Sequence, residues 1–224
     1  MSKIRRKLKT MFPIPVDAGG QKGFTYVELI VVLSIFATLT SVVLFNYGTF
    51  QEKINLRIIG TEVALRIVAA QKSAVAGSIP PQAPGASWRP SYGIYFNSVG
   101  SQGGADSSDF IYFADLNNDG AYGDLSCALP PAPGGGECLD RISINSGYKI
   151  SLLKVFYQDG TSQTLGDLNT TFTRPDSGAT FASLMTPITK TVSYVEITMS
   201  PASGNQNSSS STVEVYPSGR IQLK

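Results

Sequence analysis

The chain has 224 residues and contains no histidine, which excludes hydrolytic triads that use histidine and zinc sites with histidine ligands. Its formal net charge of +2 comes from residues 1–23, which hold six of the 18 basic residues and one of the 16 acidic residues. Residues 24–224 therefore carry a net charge of −3, from 12 basic and 15 acidic side chains, which argues against a general nucleic-acid binder.

The first element in the chain is a basic segment that leads into an apolar run. The basic side chains of this segment are opposed by Asp17 alone and comprise Lys3, Arg5, Arg6, Lys7, Lys9 and Lys22. Residues 29–45 carry no charge and are long enough to cross the hydrocarbon core of a bilayer as a helix. Because basic flanks stay in the cytoplasm, the remainder of the chain is predicted to lie outside it.

A carboxylate stands at the head of this apolar run, at Glu28. A charge in lipid is costly unless an opposite charge meets it. Cleavage of the bond between Gly23 and Phe24 would supply that charge, because the new α-amine of Phe24 is four residues from Glu28. The same pair on a second copy can exchange partners, so charge neutralisation favours assembly.

The run from Gly23 to Glu28 resembles the class III signal of type IV pilins and type II secretion pseudopilins. In that family a prepilin peptidase removes the basic leader after a glycine, the new first residue is N-methylated, and the fifth mature residue is Glu. The resemblance implies cleavage and methylation at Gly23 and Phe24, and a role in assembly for Glu28. An ordinary secretory signal or membrane anchor shares the basic start and the apolar run, but it does not account for Glu28.

A single long helix is predicted over residues 25–76, because no proline occurs between Pro15 and Pro80. Its second half is amphipathic. The apolar stripe that we expect to pack on a sheet consists of Ile54, Ile58, Leu65, Val68 and Val75.

The resemblance divides the chain into three parts. Residues 1–23 are the leader that prepilin peptidase removes, which leaves 201 residues. Residues 24–76 form the helix, which is transmembrane over about 24–46 and amphipathic afterwards. Residues 77–224 form a periplasmic, β-rich head of ordinary domain size.

Alternating apolar residues separated by turn formers predict nine strands in the head. The predicted strands span 92–97, 109–114, 141–144, 149–157, 170–174, 180–184, 192–200, 212–216 and 220–223. We therefore expect an α+β fold with two sheets packed on the helix. Segments 91–96, 172–176 and 217–220 resemble, in the same order, pieces of the GspH/FimT group of minor pseudopilins and minor pilins.

An acidic segment in the head has the spacing of a calcium loop. Oxygen-bearing side chains at Asp115, Asn117 and Asp119 alternate and are followed by Gly120, and Asp124 comes later. Alternation turns successive oxygens inward, and glycine permits the sharp turn of a Ca²⁺ loop. The twelfth position holds Ser126 instead of the usual glutamate. The alternative is a turn in which these side chains accept hydrogen bonds from local backbone amides.

The only two cysteines of the chain are Cys127 and Cys138. In a periplasmic head, two cysteines with this short spacing predict a disulfide that restrains the intervening loop. A pair of free thiols is the alternative, and a zinc site lacks further ligands.

The chain ends with Gly219, Arg220, Ile221, Gln222, Leu223 and Lys224. Some FimT-like proteins carry a Gly-Arg-x-Arg ending associated with DNA capture, whereas this chain has Gln222 in place of the second arginine. Arg220 and Lys224 alone form a poor phosphate clamp, so the alternative is an edge strand with a solvated arginine.

The resemblance implies a structural, non-enzymatic subunit that needs no cofactor, although Ca²⁺ is a candidate ligand. The implied partners are prepilin peptidase, other pilin or pseudopilin subunits and the inner-membrane assembly platform, and not nucleic acid. The implied location is the bacterial inner membrane and then a filament of a type II secretion pseudopilus or a type IV pilus. The alternatives are a DNA-uptake minor pilin, a major filament subunit and a periplasmic enzyme.

Overall fold

A computed structural model describes residues 23–83, 85, 90–100, 105–124, 126–131, 135–144, 147–203 and 209–224. The predicted leader, residues 1–22, lies outside the described residues. The chain divides into two compact units, one that ends at Tyr47 and one that spans Gly48–Lys224.

The first element is the α-helix α1, Tyr26–Ala76, with 51 residues, which confirms the predicted long helix. Its end is fixed by Gly77, whose φ of 62° suits glycine. The Gly77 amide donates to the Ala74 carbonyl at 3.0 Å, and the Ser78 amide donates to the Ser73 carbonyl at 3.1 Å. This pair of bonds is a Schellman motif, which satisfies the last carbonyls of the helix.

Within the described residues, the second unit contains ten strands in two antiparallel sheets of five, so the predicted two-sheet α+β arrangement is confirmed. The strands are β1 Ser91–Asn97, β2 Asp109–Asp115, β3 Cys138–Ser143, β4 Tyr148–Tyr157, β5 Ser162–Leu165, β6 Asp167–Phe172, β7 Ala179–Ala182, β8 Val192–Pro201, β9 Ser211–Val215 and β10 Ile221–Leu223. The strand order is β3-β2-β1-β6-β7 in the first sheet and β10-β9-β8-β4-β5 in the second.

The two sheets differ in how they are covered. In β8, buried and partly exposed residues alternate, as expected for a strand with one face on the core. Every residue of β1 is buried, because both faces of the first sheet are covered. One face of that strand contributes Ile94 and Phe96 to the main core, and Tyr95 belongs to a second cluster with Phe113 and Tyr122.

The predicted packing face of α1 was wrong. Ile54, Ile58, Leu65 and Val75 are exposed, and Val68 is half-buried. The side chains that enter the core lie on the opposite face of the helix and are Leu56, Ile59, Val63, Ile67, Ala70 and Ala74. Both faces are apolar, so periodicity alone did not separate them.

One small residue, Gly60, lets α1 approach the second sheet closely. At Gly60, a Cβ atom would lie 2.5 Å from Oγ of Ser211 and 2.6 Å from Cδ1 of Leu223. A side chain at position 60 would therefore displace Ser211 or Leu223.

Strand β5 was missed by the sequence analysis. Its sequence, Ser-Gln-Thr-Leu, ends in a single apolar residue and shows no alternation. The strand forms because a turn at Gly160, with φ of 82°, returns the chain onto β4. The Tyr157 amide donates to the Thr161 carbonyl at 2.9 Å at the base of this turn.

Candidate functional site

The motif from Gly23 to Glu28 begins α1. Gly23 and Phe24 precede the helix, and Thr25 is its N-terminal cap. The Glu28 amide donates to Oγ1 of Thr25 at 3.2 Å, and the Leu29 amide donates to the Thr25 carbonyl at 3.1 Å. Thr25 and Glu28 have the spacing of a capping box, in which a threonine and a glutamate satisfy the free amides of the first turn. This cap at Thr25 was not predicted from the sequence, although the Thr-x-x-Glu pattern was visible.

The first part of α1 exposes its apolar side chains. They range from 47% exposure at Ile30 to 84% at Phe45. The most apolar 18-residue window of the helix has a mean hydropathy of 2.4, and none of it is buried. Within the described residues, α1 is the one helix long and apolar enough to cross a membrane.

The acidic segment forms a turn in which carboxylates accept backbone amides. The amides of Asp119 and Gly120 donate to the two oxygens of Asp115, at 3.2 and 2.9 Å. The Asp119 amide also donates to Oδ1 of Asn117 at 3.0 Å, and the Ala121 amide donates to Oδ1 of Asp119 at 2.9 Å. These bonds are the local side-chain-to-backbone pattern that the sequence analysis gave as its alternative to calcium.

Asp124 does not face the acidic turn, and Glu137 takes its place. Oδ2 of Asp124 accepts the Glu137 amide at 2.6 Å. The Glu137 carboxylate accepts the Leu116 amide at 3.1 Å and the Gly123 amide at 3.0 Å. Glu137 is 21 residues from Leu116, so no local pattern pointed to it.

The pKa values of two carboxyl groups, those of Asp115 and Glu137, are raised above their usual values. Burial raises the pKa of Asp115, and the charge of Asp119 adds to this effect. Burial also raises the pKa of Glu137, to which the charges of Asp115 and Asp119 contribute. Among the described residues, no three His, Cys, Asp or Glu side chains are grouped so as to hold a metal ion. The calcium prediction therefore rests on the sequence alone.

Cys127 and Cys138 form the predicted disulfide, with their Cα atoms 5.2 Å apart. Cys138 is the first residue of β3 and is buried, so the bond ties the loop that leaves the acidic turn to the first sheet. Asp124 reinforces this connection through the Glu137 amide.

The chain matches no protein-family model, no curated protein and no solved structure.

The two C-terminal basic residues are held by side chains of the second sheet. The Arg220 guanidinium lies 3.8 Å from the ring centroid of Tyr216. The Lys224 ammonium forms an ion pair with the buried carboxylate of Glu214, which raises the pKa of Lys224. These residues flank β10, the edge strand that the alternative interpretation expected.

Proposed function

We propose that this chain is a minor pilin or minor pseudopilin, a structural subunit that is processed at its N-terminus and then assembled into a filament. The observation that carries the proposal is the combination of Gly23, Phe24 and Glu28 at the start of a helix whose first part is apolar and exposed. In this role the leader is cytoplasmic and the head is periplasmic. Prepilin peptidase cuts after Gly23, and Phe24 is methylated.

The exposed apolar helix and the single carboxylate suit a subunit that leaves the lipid and enters a bundle of like helices. In the bilayer, the apolar side chains of residues 29–45 are solvated by lipid. In the filament, the helices of neighbouring copies replace that lipid. Glu28 then pairs with the Phe24 amine of a neighbour, because an unpaired charge in this setting is costly.

The head supports a structural function. The head is held together by two sheets, the disulfide and the acidic turn. The proposed partners are other subunits and the inner-membrane assembly platform, and the filament belongs either to a type II secretion system or to a type IV pilus. No enzymatic step is assigned to this chain.

The decisive experiment expresses the full chain in cells with a prepilin peptidase and measures the intact mass of the membrane-bound product. We expect loss of residues 1–23 and the addition of one methyl group at Phe24. An uncleaved chain in the presence of active peptidase would overturn the proposal. Cells with an inactive peptidase are the control, and they should retain the full chain.

A strain that lacks this protein then distinguishes a type II secretion system from a type IV pilus. Loss of exported proteins with normal surface filaments places the chain in a secretion pseudopilus. Loss of surface filaments with normal export places it in a type IV pilus. Normal levels of both would contradict a role in either filament.

A further inference from the structure

A crevice in the second unit is lined by basic and hydroxyl side chains. It has a volume of about 240 Å³ and lies between α1 and the end of the second sheet. Its lining comprises Lys53, Leu56, Arg57, Ser209, Ser210, Ser211, Leu223 and Lys224. The volume is below that of a typical drug-sized pocket, so the crevice suits a small polar group.

The charge of this crevice is positive. Three basic side chains line it, and no acidic side chain does. Lys224 is paired with Glu214. Within the part of the chain that the structure describes, neither Lys53 nor Arg57 forms an ion pair. Two cationic groups therefore remain available for an anion.

The other walls of the crevice match an amphiphilic anion. Ser209 and Ser210 supply hydroxyl donors and Leu223 supplies apolar surface, whereas Leu56 and Ser211 are buried. The nearest carboxylate on α1, that of Glu52, accepts the Ser209 amide at 3.2 Å, which fixes the serine segment beside the helix. Arginine and lysine with hydroxyl donors are the groups that bind phosphate oxygens in proteins.

The position of the crevice along the chain favours the phosphate of a membrane lipid as its ligand. Lys53 follows the last residue of the apolar run, Phe45, by eight residues. Even a fully extended chain of that length spans no more than about 29 Å. If residues 29–45 cross the bilayer, as the proposed function requires, the tether keeps the crevice close to the lipid headgroups.

We propose that this crevice binds the phosphate of an anionic phospholipid headgroup. Lys53 and Arg57 pair with the phosphate oxygens, and the serine hydroxyls donate to them. The Leu223 side chain contacts the glycerol carbons. The inference rests on the proposed membrane function, and it adds a specific lipid contact that holds the unpolymerised subunit at the outer face of the inner membrane.

The test uses the full mature chain reconstituted in vesicles of phosphatidylcholine and phosphatidylglycerol in equal amounts. After gentle detergent extraction, native mass spectrometry counts the lipids that remain bound. We expect phosphatidylglycerol to be retained in preference to phosphatidylcholine. The double variant Lys53→Gln/Arg57→Gln should lower that retention about tenfold, because it removes two charge-assisted bonds.

A matched control removes the same charge elsewhere on α1. Arg66→Gln/Lys72→Gln alters two residues outside the crevice and should retain phosphatidylglycerol as the unaltered chain does. Equal retention of the two lipids, or equal loss in both double variants, would overturn the proposal.

Two further outcomes would also overturn it. If inorganic phosphate is bound but no lipid is retained, the crevice is a site for free phosphate. If double-stranded DNA is bound in a manner sensitive to Lys53 and Arg57, without lipid retention, the partner is nucleic acid. Failure of the proposed function has a different signature, which is an uncleaved chain in cells with an active prepilin peptidase.

Discussion

The backbone amide of Glu28 donates a hydrogen bond to Oγ1 of Thr25 at 3.2 Å, which closes the first turn of α1. Glu28 has the spacing of a capping-box residue, and in the proposed function its charge pairs with a cation of a neighbouring subunit. The two contributions can be separated by substitution, because glutamine also fits a capping box but carries no charge.

We expect Glu28→Gln and Glu28→Val to be cleaved normally and to be absent from filaments. In the proposed function, cleavage depends on the leader and Gly23, whereas docking depends on the charge of Glu28. The measurement compares each variant in the membrane, by intact mass, with its amount in sheared filaments or in the pseudopilus fraction. Incorporation of Glu28→Gln at the level of the unaltered chain would show that the capping role suffices.

The packing of α1 on the second sheet predicts an unequal response of two helical glycines. Gly60→Val should lower the free energy of unfolding by about 1–3 kcal/mol, because its side chain meets Ser211 and Leu223. Gly48→Val is the control, since no atom lies within 4 Å of a Cβ atom there. The measurement is guanidinium unfolding in detergent, and equal effects of the two variants would contradict the packing.

The disulfide between Cys127 and Cys138 should stabilise the second unit by about 2–3 kcal/mol, since it closes a short loop in the unfolded chain. Reduction with dithiothreitol should lower the midpoint of guanidinium unfolding by the corresponding amount. The double variant Cys127→Ser/Cys138→Ser should show the lower midpoint and no response to dithiothreitol. Equal midpoints in oxidised and reduced protein would refute this prediction.

We predict that Glu196, in the second sheet, makes the free energy of unfolding depend on pH. This residue lies on β8 directly opposite Glu214 on β9. Burial, and then the charge of Glu214, raise the pKa of Glu196. A raised pKa in the folded state stabilises the protonated form, so the contribution is present below the unfolded pKa and is lost as pH rises through the folded pKa.

Glu196→Gln should therefore stabilise the protein at pH 7 and have little effect at pH 4. At pH 4 the raised pKa favours the neutral form of Glu196, which resembles glutamine, whereas at pH 7 the variant avoids a charge opposite Glu214. The measurement is the difference in free energy of unfolding between variant and unaltered chain at the two pH values. A stabilisation that is equal at both would argue against the carboxylate pair.

Calcium binding remains a prediction of the sequence, and thermal unfolding tests it. If the acidic turn binds Ca²⁺, calcium at ten times its dissociation constant stabilises the protein by about 1.4 kcal/mol. We expect this gain in millimolar calcium relative to EDTA, and its loss in Asp119→Asn. Asp176→Asn, an exposed aspartate outside the turn, is the control. Equal unfolding temperatures in calcium and EDTA would leave the turn as a purely backbone-capping structure.

Local sequence patterns were sufficient for the elements whose stabilising contacts are local. Helix α1 was predicted within one residue at its start, because nothing between Pro15 and Pro80 interrupts it and Gly77 ends it. The strands with alternating apolar residues were found for the same reason. Strand β5 was not predicted, because it forms by pairing with β4 and its own residues do not alternate.

In the acidic turn, too, some contacts are between sequence neighbours and others arise only from the tertiary structure. Asp115, Asn117 and Asp119 are neighbours in sequence, and the structure brings them together. Glu137 joins them through strand pairing and the disulfide, and Asp124 turns away to the Glu137 amide. Those contacts depend on where β3 is placed, which no spacing of residues reveals.

The sequence by itself determined the long helix, the β-rich head, the cysteine pair and the motif from Gly23 to Glu28 on which the proposed function rests. Each of these follows from chemistry within a few residues or from the pairing of the only two cysteines. The tertiary structure alone decided which face of α1 is buried, because two apolar faces compete and Gly60 permits close approach on one of them. It also assembled Lys53, Arg57 and the serines before β9 into one crevice, since these residues are about 150 positions apart and meet only when the helix packs on the second sheet.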